Sequence, residues 1–126
     1  MTPVSVTVLD GEALERLREL DPAGTSRLLE RVLRAFQSSA GRLSVQFADA
    51  RSKGDMQGIR HVVHTLKSSS ASIGALALAR LCAEIETSIR TEAVASLPGR
   101  LDAMDRELAA VLQAVTPMLS PPDTPT

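Results

Sequence analysis

The residues able to do chemistry cluster in one stretch, residues 64–86, HTLKSSSASIGALALARLCAEIE. On a helix turning about 100° per residue, residues 55–72 sort into two faces. Ile59, Val62, Leu66, Ser69 and Ile73 gather on one, with Val63 and Ser70 at its edges. His64 falls opposite, among Gln57, Arg60, Lys67, Ser68 and Ala71. A histidine opposite the apolar stripe meets solvent. Lys67 at i+3 supplies a mobile cation of the kind that binds phosphate. Ser68 at i+4 is small and leaves room above the ring, where a Leu or Arg would cover it. Imidazole titrates near neutrality, so a neutral nucleophilic nitrogen is at hand at physiological pH. An open imidazole, free space and a nearby cation are what a phosphoryl acceptor needs. On this geometry alone an ordinary surface histidine remains the commoner explanation.

The other histidine, His61, sits on the flank of the same face about one turn earlier and reads as a neighbour. His61 and His64, with Glu84 and Glu86 on the next helix, could suggest a metal site of the kind built in helix bundles. No second histidine pair exists, and carboxylates that bind metal in such bundles point inward, so no metal is expected.

The elements that must hold this face are helical. The 126 residues suit one domain, 44% apolar, with no Trp or Tyr and two Phe. Val4, Val6 and Val8 alternate with polar residues, which suits an extended segment over 1–8 with its valines inward. Asp10 can cap a short helix over 11–20, and Asp21-Pro22 interrupts it. From about Thr25 to Arg51 one apolar stripe runs through Leu29, Leu33, Phe36, Ala40, Leu43 and Phe47, with Gly41 inside it. Gly54 ends this helix and Asp55 caps the next, which runs to about Ser72. Gly74 is a turn. A helix over 75–91 carries Leu78, Leu81, Cys82, Ile85 and Ile89 on its stripe. Ser96 with Pro98 opens the last, whose Leu101, Met104, Leu108, Val111 and Val115 form a bundle seam. Pro117 ends it, and residues 119–126 read as a disordered tail. The expected fold is all-α: an antiparallel four-helix bundle over residues 9–118 with a short additional N-terminal helix.

Composition narrows the functions. Net charge is −1, so nothing global favours nucleic acid or a membrane surface. No apolar run has transmembrane length and no signal peptide is evident, so the cytoplasm is the default compartment. A single cysteine, Cys82, excludes an internal disulfide and reads as a small buried hydrophobe.

The stretch resembles the signature of the histidine-containing phosphotransfer (HPt) domain family. The match runs without a gap through His64, Leu66, Lys67, Ser69, Ser70, Ile73, Gly74, Ala75, Leu78, Cys82, Ile85 and Glu86. It departs at Ser68, where the family usually has Gly. The resemblance implies a phosphorelay carrier whose His64 takes a phosphoryl group from one receiver domain's aspartate and passes it to another's. Receivers of response regulators or hybrid histidine kinases would be the partners, a receiver would bring the Mg²⁺, and the chain would need no cofactor of its own. It implies Nε2 as nucleophile and Lys67 at the phosphoryl oxygens. Ser68, Arg60, Glu86 and Arg90 would line the site, one polar residue holding the imidazole. For Glu86 and Arg90 an i, i+4 surface ion pair is an equal alternative. A receiver also needs an apolar patch, to which Phe36 and the small-residue edge of the long helix could contribute. No nucleotide-binding segment suggests an autokinase. The histidine helix of kinase dimerisation domains usually has an acidic residue after the histidine, where this chain has Thr65. The alternative is an HPt-like module that docks a receiver without transfer. Monomer is the default state.

Overall fold

A computed structural model describes residues 8–24 and 27–119. Five α-helices follow in order: α1 (Gly11–Glu19), α2 (Leu28–Lys53), α3 (Met56–Ser72), α4 (Leu76–Arg90) and α5 (Leu97–Val115). Short 3₁₀ turns at Val94–Ser96 and Thr116–Met118 flank α5. No strand occurs among the described residues. The four long helices make the expected bundle. α3 packs most extensively against α4, then against α2; α4 also packs on α5, and Arg51 of α2 pairs with Asp102 of α5 at 2.8 Å. The histidine helix is thus the best-supported element of the bundle.

Local chemistry sets the helix ends. The Asp10 carboxylate caps α1 by accepting from the Ala13 N–H at 3.2 Å, and Asp55 caps α3 by accepting from the Gly58 N–H at 3.0 Å. Gly54 stops α2 in the left-handed conformation, φ 65°. Gly41 does not break the 26-residue α2, because the apolar stripe on either side of it, from Leu33 to Ala50, stays buried. The start of α2 differs from the pattern's. Arg27, φ 51°, precedes the helix, and the Leu28 N–H donates to the Asp21 carboxylate at 3.1 Å. The cap therefore comes from Asp21, and Thr25 lies outside the described residues.

The core is one cluster running the length of the bundle. Leu33, Ile59, Leu66, Ile73, Leu78, Ile85 and Met104 are all but fully buried. Truncating any of these leucines to Ala costs about 2–5 kcal/mol through lost transfer energy and the cavity left behind. Val8 packs partly against this core, as an inward valine should, while Val4 and Val6 lie outside the described residues. Leu119 also packs on the core, so the bundle extends one residue beyond 118. The rest of the proposed tail, 120–126, lies outside the described residues.

The buried face of α3 is rotated from the one the wheel suggests. Val63 and Ser70 are fully buried, whereas Ser69 is half-buried and donates to the Thr65 carbonyl at 3.1 Å. The cause is the second neighbour: α3 buries itself against α4 as well as α2, which draws the 63/70 edge inward. Gly74 makes the turn that allows this. Its φ of 79° is left-handed, and a Cβ there would stand 2.8 Å from the Ala13 Cβ and 3.0 Å from the Asp10 backbone. The Gly74 carbonyl also accepts from the Asp10 N–H at 2.7 Å, tying the N-terminal segment to the α3–α4 junction.

Two stability predictions follow from these contacts. Gly74→Ala strains the backbone and clashes with α1, so urea unfolding should show a loss of about 2 kcal/mol or more. The Ser70 hydroxyl is buried without a hydrogen-bond partner. Ser70→Ala should therefore be neutral or stabilising by about 1 kcal/mol in the same measurement.

Candidate functional site

α3 carries His64 at mid-helix, two turns from either end, where the backbone is fully hydrogen-bonded and rigid. The chain then reverses through residues 73–75 and returns as α4 alongside α3. This reversal brings Glu86, 22 residues later in sequence, opposite His64. Glu86 Oε2 lies 2.9 Å from His64 Nδ1, and Glu86 Oε1 accepts from Lys67 Nζ at 2.5 Å. One carboxylate thus bridges His64 and Lys67 of α3. The Glu86 side chain is 14% exposed and the His64 side chain 68% exposed.

Electrostatics fix the protons in this triad. The hydrogen bond from the Lys67 ammonium holds the Glu86 carboxyl below its ordinary value of 4.5, and the His64 bond adds to it; burial opposes both. Glu86 is therefore ionised at neutral pH and can only accept. Nδ1 of His64 must then be the donor. A neutral ring with its proton on Nδ1 presents a bare lone pair at Nε2, on the far side of the ring from Glu86. With the ring so exposed, a nucleophilic nitrogen faces solvent and an ammonium sits one turn away.

The other expected residues divide. Ser68 and Arg60 are exposed on α3, four residues after and before His64. Ser68 does not return its hydroxyl to the His64 carbonyl; the back-bonds in this helix come from Ser69 to Thr65 and from Ser72 to Ser68. Arg90, the exposed last residue of α4, makes no hydrogen bond or ion pair among the described residues. The Glu86–Arg90 ion pair is not formed, because both Glu86 oxygens are taken by His64 and Lys67. Glu84 leaves from the other side of α4 and bonds Arg100 of α5 at 2.8 Å. Phe36 is buried in the core and offers nothing to a docking partner. Cys82 is buried, and desolvation pushes its thiol up to about 12, which leaves it protonated and inert. The direct Lys67–Glu86 bond was missed from sequence. Its signal was available: the carboxylate and the two basic side chains fall on facing edges of two antiparallel helices.

A four-helix bundle with an open, carboxylate-backed histidine on its second long helix defines a class of small phosphotransfer modules. The Hpt domain family matches residues 12–114, and the chain belongs to it. It is a histidine phosphotransfer protein of phosphorelay signalling, a family whose domains pass phosphoryl groups to receiver domains. Among solved structures, it is similar to histidine-containing phosphotransfer protein B from Pseudomonas aeruginosa PAO1. That match has 28% identity and a TM-score of 0.78, and it covers 90% of this chain and 96% of the other. A putative histidine-containing phosphotransfer protein from rice shares the fold at 21% identity and a TM-score of 0.59, covering 89% of this chain and 84% of the other. No curated protein matches the chain significantly. No helix among the described residues is long and apolar enough to cross a membrane.

The acid limb of stability tests the bridge. Because the Glu86 carboxyl is held below its ordinary 4.5, its stabilising contribution is present above that pH and disappears as pH falls through the lower folded value. Glu86→Gln should be less stable than wild type at pH 7, with the difference vanishing at the acid end of a pH series of urea melts. A constant difference across that series would mean the carboxylate's charge is not what matters.

Proposed function

We propose that His64 is the phosphoaccepting residue and that Nε2 is its nucleophile. The observation that carries this is the exposed imidazole whose Nδ1 is engaged by Glu86, 2.9 Å away. A receiver's phospho-aspartate approaches the open side of the ring. The Nε2 lone pair attacks phosphorus, and the acyl-phosphate P–O bond breaks toward the aspartate carboxylate. A second receiver takes the group from phospho-His64 by the reverse steps. Such transfers need little covalent machinery; positioning and charge neutralisation supply most of the catalysis.

In this reading Lys67 neutralises the phosphoryl oxygens. Its stem is flexible and its ammonium carries three donors, so it can turn one toward phosphate while keeping another on Glu86. Arg60 and Arg90 flank the approach as exposed cations. Ser68 leaves the space the phosphoryl group enters. The receiver of a response regulator or hybrid kinase brings the acidic cluster and its Mg²⁺. The carrier acts as a monomer in the cytoplasm, without autokinase activity; the exposed face requires no second copy. A docking module without transfer would have no use for a histidine held in its nucleophilic tautomer.

Transfer assays from phosphorylated receivers test the assignment. Wild type should acquire acid-labile, base-stable label, and His64→Gln none. Lys67→Ala should slow transfer on the order of tenfold, about 1.4 kcal/mol of lost transition-state stabilisation. Ser68→Gly should keep or raise the rate and Ser68→Gln block it; equal rates for Ser68→Gln and wild type would sink the steric role of Ser68. Label retained by His64→Gln would move the acceptor elsewhere, and labelling from ATP alone would make the protein a kinase.

A further inference from the structure

The proton on Nδ1 has a second consequence, which rests on His64 being the acceptor. When Nε2 attacks phosphorus, the electron pair of the breaking P–O bond leaves on the aspartate. Nothing in that step removes the proton from Nδ1. The immediate product is a ring bonded to phosphorus at Nε2 and to hydrogen at Nδ1, and this ring is cationic. In free solution such a ring can shed its proton and become neutral. Here Nδ1–H faces an ionised carboxylate at 2.9 Å whose side chain is 14% exposed.

We infer that Glu86 is a positioning residue that keeps phospho-His64 protonated at Nδ1, the form that releases its phosphoryl group. The chemistry of departure gives the reason. If Nδ1 carries a proton, the N–P electron pair returns to Nε2 and the leaving group is a neutral imidazole. If Nδ1 is bare, the leaving group is imidazolate, a far more basic and poorer one. A carboxylate that holds the proton through both half-reactions lets the group move on and off with no proton entering or leaving. The first and second transfers then use one tautomer of one ring.

The surrounding charges set the balance. Lys67 on α3 shares Glu86 and draws negative charge away from Nδ1. Arg60 and His61 on α3 and Arg90 on α4 are exposed nearby, and as cations they would oppose a charged ring, weakly because solvent screens them. No charged group of α2 has a hydrogen bond or ion pair to His64 among the described residues. The incoming phosphoryl group is anionic and favours the cationic ring. Glu86 is thus the one group bonded directly to the proton in question, and Lys67 is its competitor.

The test uses the intact protein and phosphoramidate, a small phosphodonor that needs no receiver. Wild type, Glu86→Gln and Lys67→Gln are labelled, and loss of phosphoryl from His64 is followed by ³¹P NMR between pH 5 and 10. Loss is fast where the ring is protonated and slow where it is not. In Glu86→Gln the inflection should fall by about one pH unit or more, so that at pH 8 its phosphohistidine outlives the wild type's about tenfold. In Lys67→Gln the inflection should rise, since Glu86 loses its competitor; a merely structural role for these residues would not move it in opposite directions. Coincident inflections in wild type and Glu86→Gln overturn the inference while leaving His64 as the carrier. Absence of label at His64 in wild type overturns both.

Discussion

The structure turns on the close antiparallel pairing of α3 and α4. His64 and Lys67 lie on one helix and Glu86 on the other, and no local sequence rule joins residues 22 apart. Only the reversal at residues 73–75 does so. That reversal depends on the left-handed Gly74, on the fully buried Ser70 and Ala75, and on the N-terminal segment bonded to the Gly74 carbonyl. The small residues of the signature are therefore scaffold. They set the spacing of two helices, and that spacing sets the reach of one carboxylate.

From this pairing the chemistry follows with few parts. A carboxylate held ionised by an ammonium can only accept, so it chooses the tautomer of the imidazole beside it. The tautomer places the lone pair on the solvent side, where a partner domain can reach it. The bundle holds the helices in place, and in the proposed reading most of the side-chain work falls to three residues, His64, Lys67 and Glu86. Exposure of the histidine fits a carrier whose substrate is another protein's surface; an enclosed pocket would exclude that partner.

Much of this was legible in the sequence because helical periodicity is a strong signal. The five helices, the Gly54 and Asp55 boundary and the outward placement of His64 all follow from a 3.6-residue repeat and capping chemistry. Less legible was whatever depends on two elements at once. The wheel for α3 assumes one buried side, so it put Ser69 inside and Val63 and Ser70 at the edge; packing on two neighbours reverses Ser69 and Ser70. Glu86 could equally have paired with Arg90, its i+4 neighbour. The cross-helix bonds win because the Glu86 side chain, 14% exposed, turns inward toward α3, where Lys67 and His64 both supply donors. Phe36 looked available as an aromatic on a long amphipathic helix, but its stripe is the core. The start of α2 was missed because its cap comes from Asp21, seven residues upstream, through a left-handed Arg27.

The central claim is that phosphorylation falls on Nε2 of His64, because Glu86 reserves Nδ1. Incorporating ¹⁵N-histidine, phosphorylating the protein and reading ¹⁵N–³¹P coupling would locate the bond directly. The account predicts a single coupled nitrogen, Nε2 of His64, with Nδ1 still bearing its proton. Coupling to Nδ1, or to either nitrogen of His61, would contradict it.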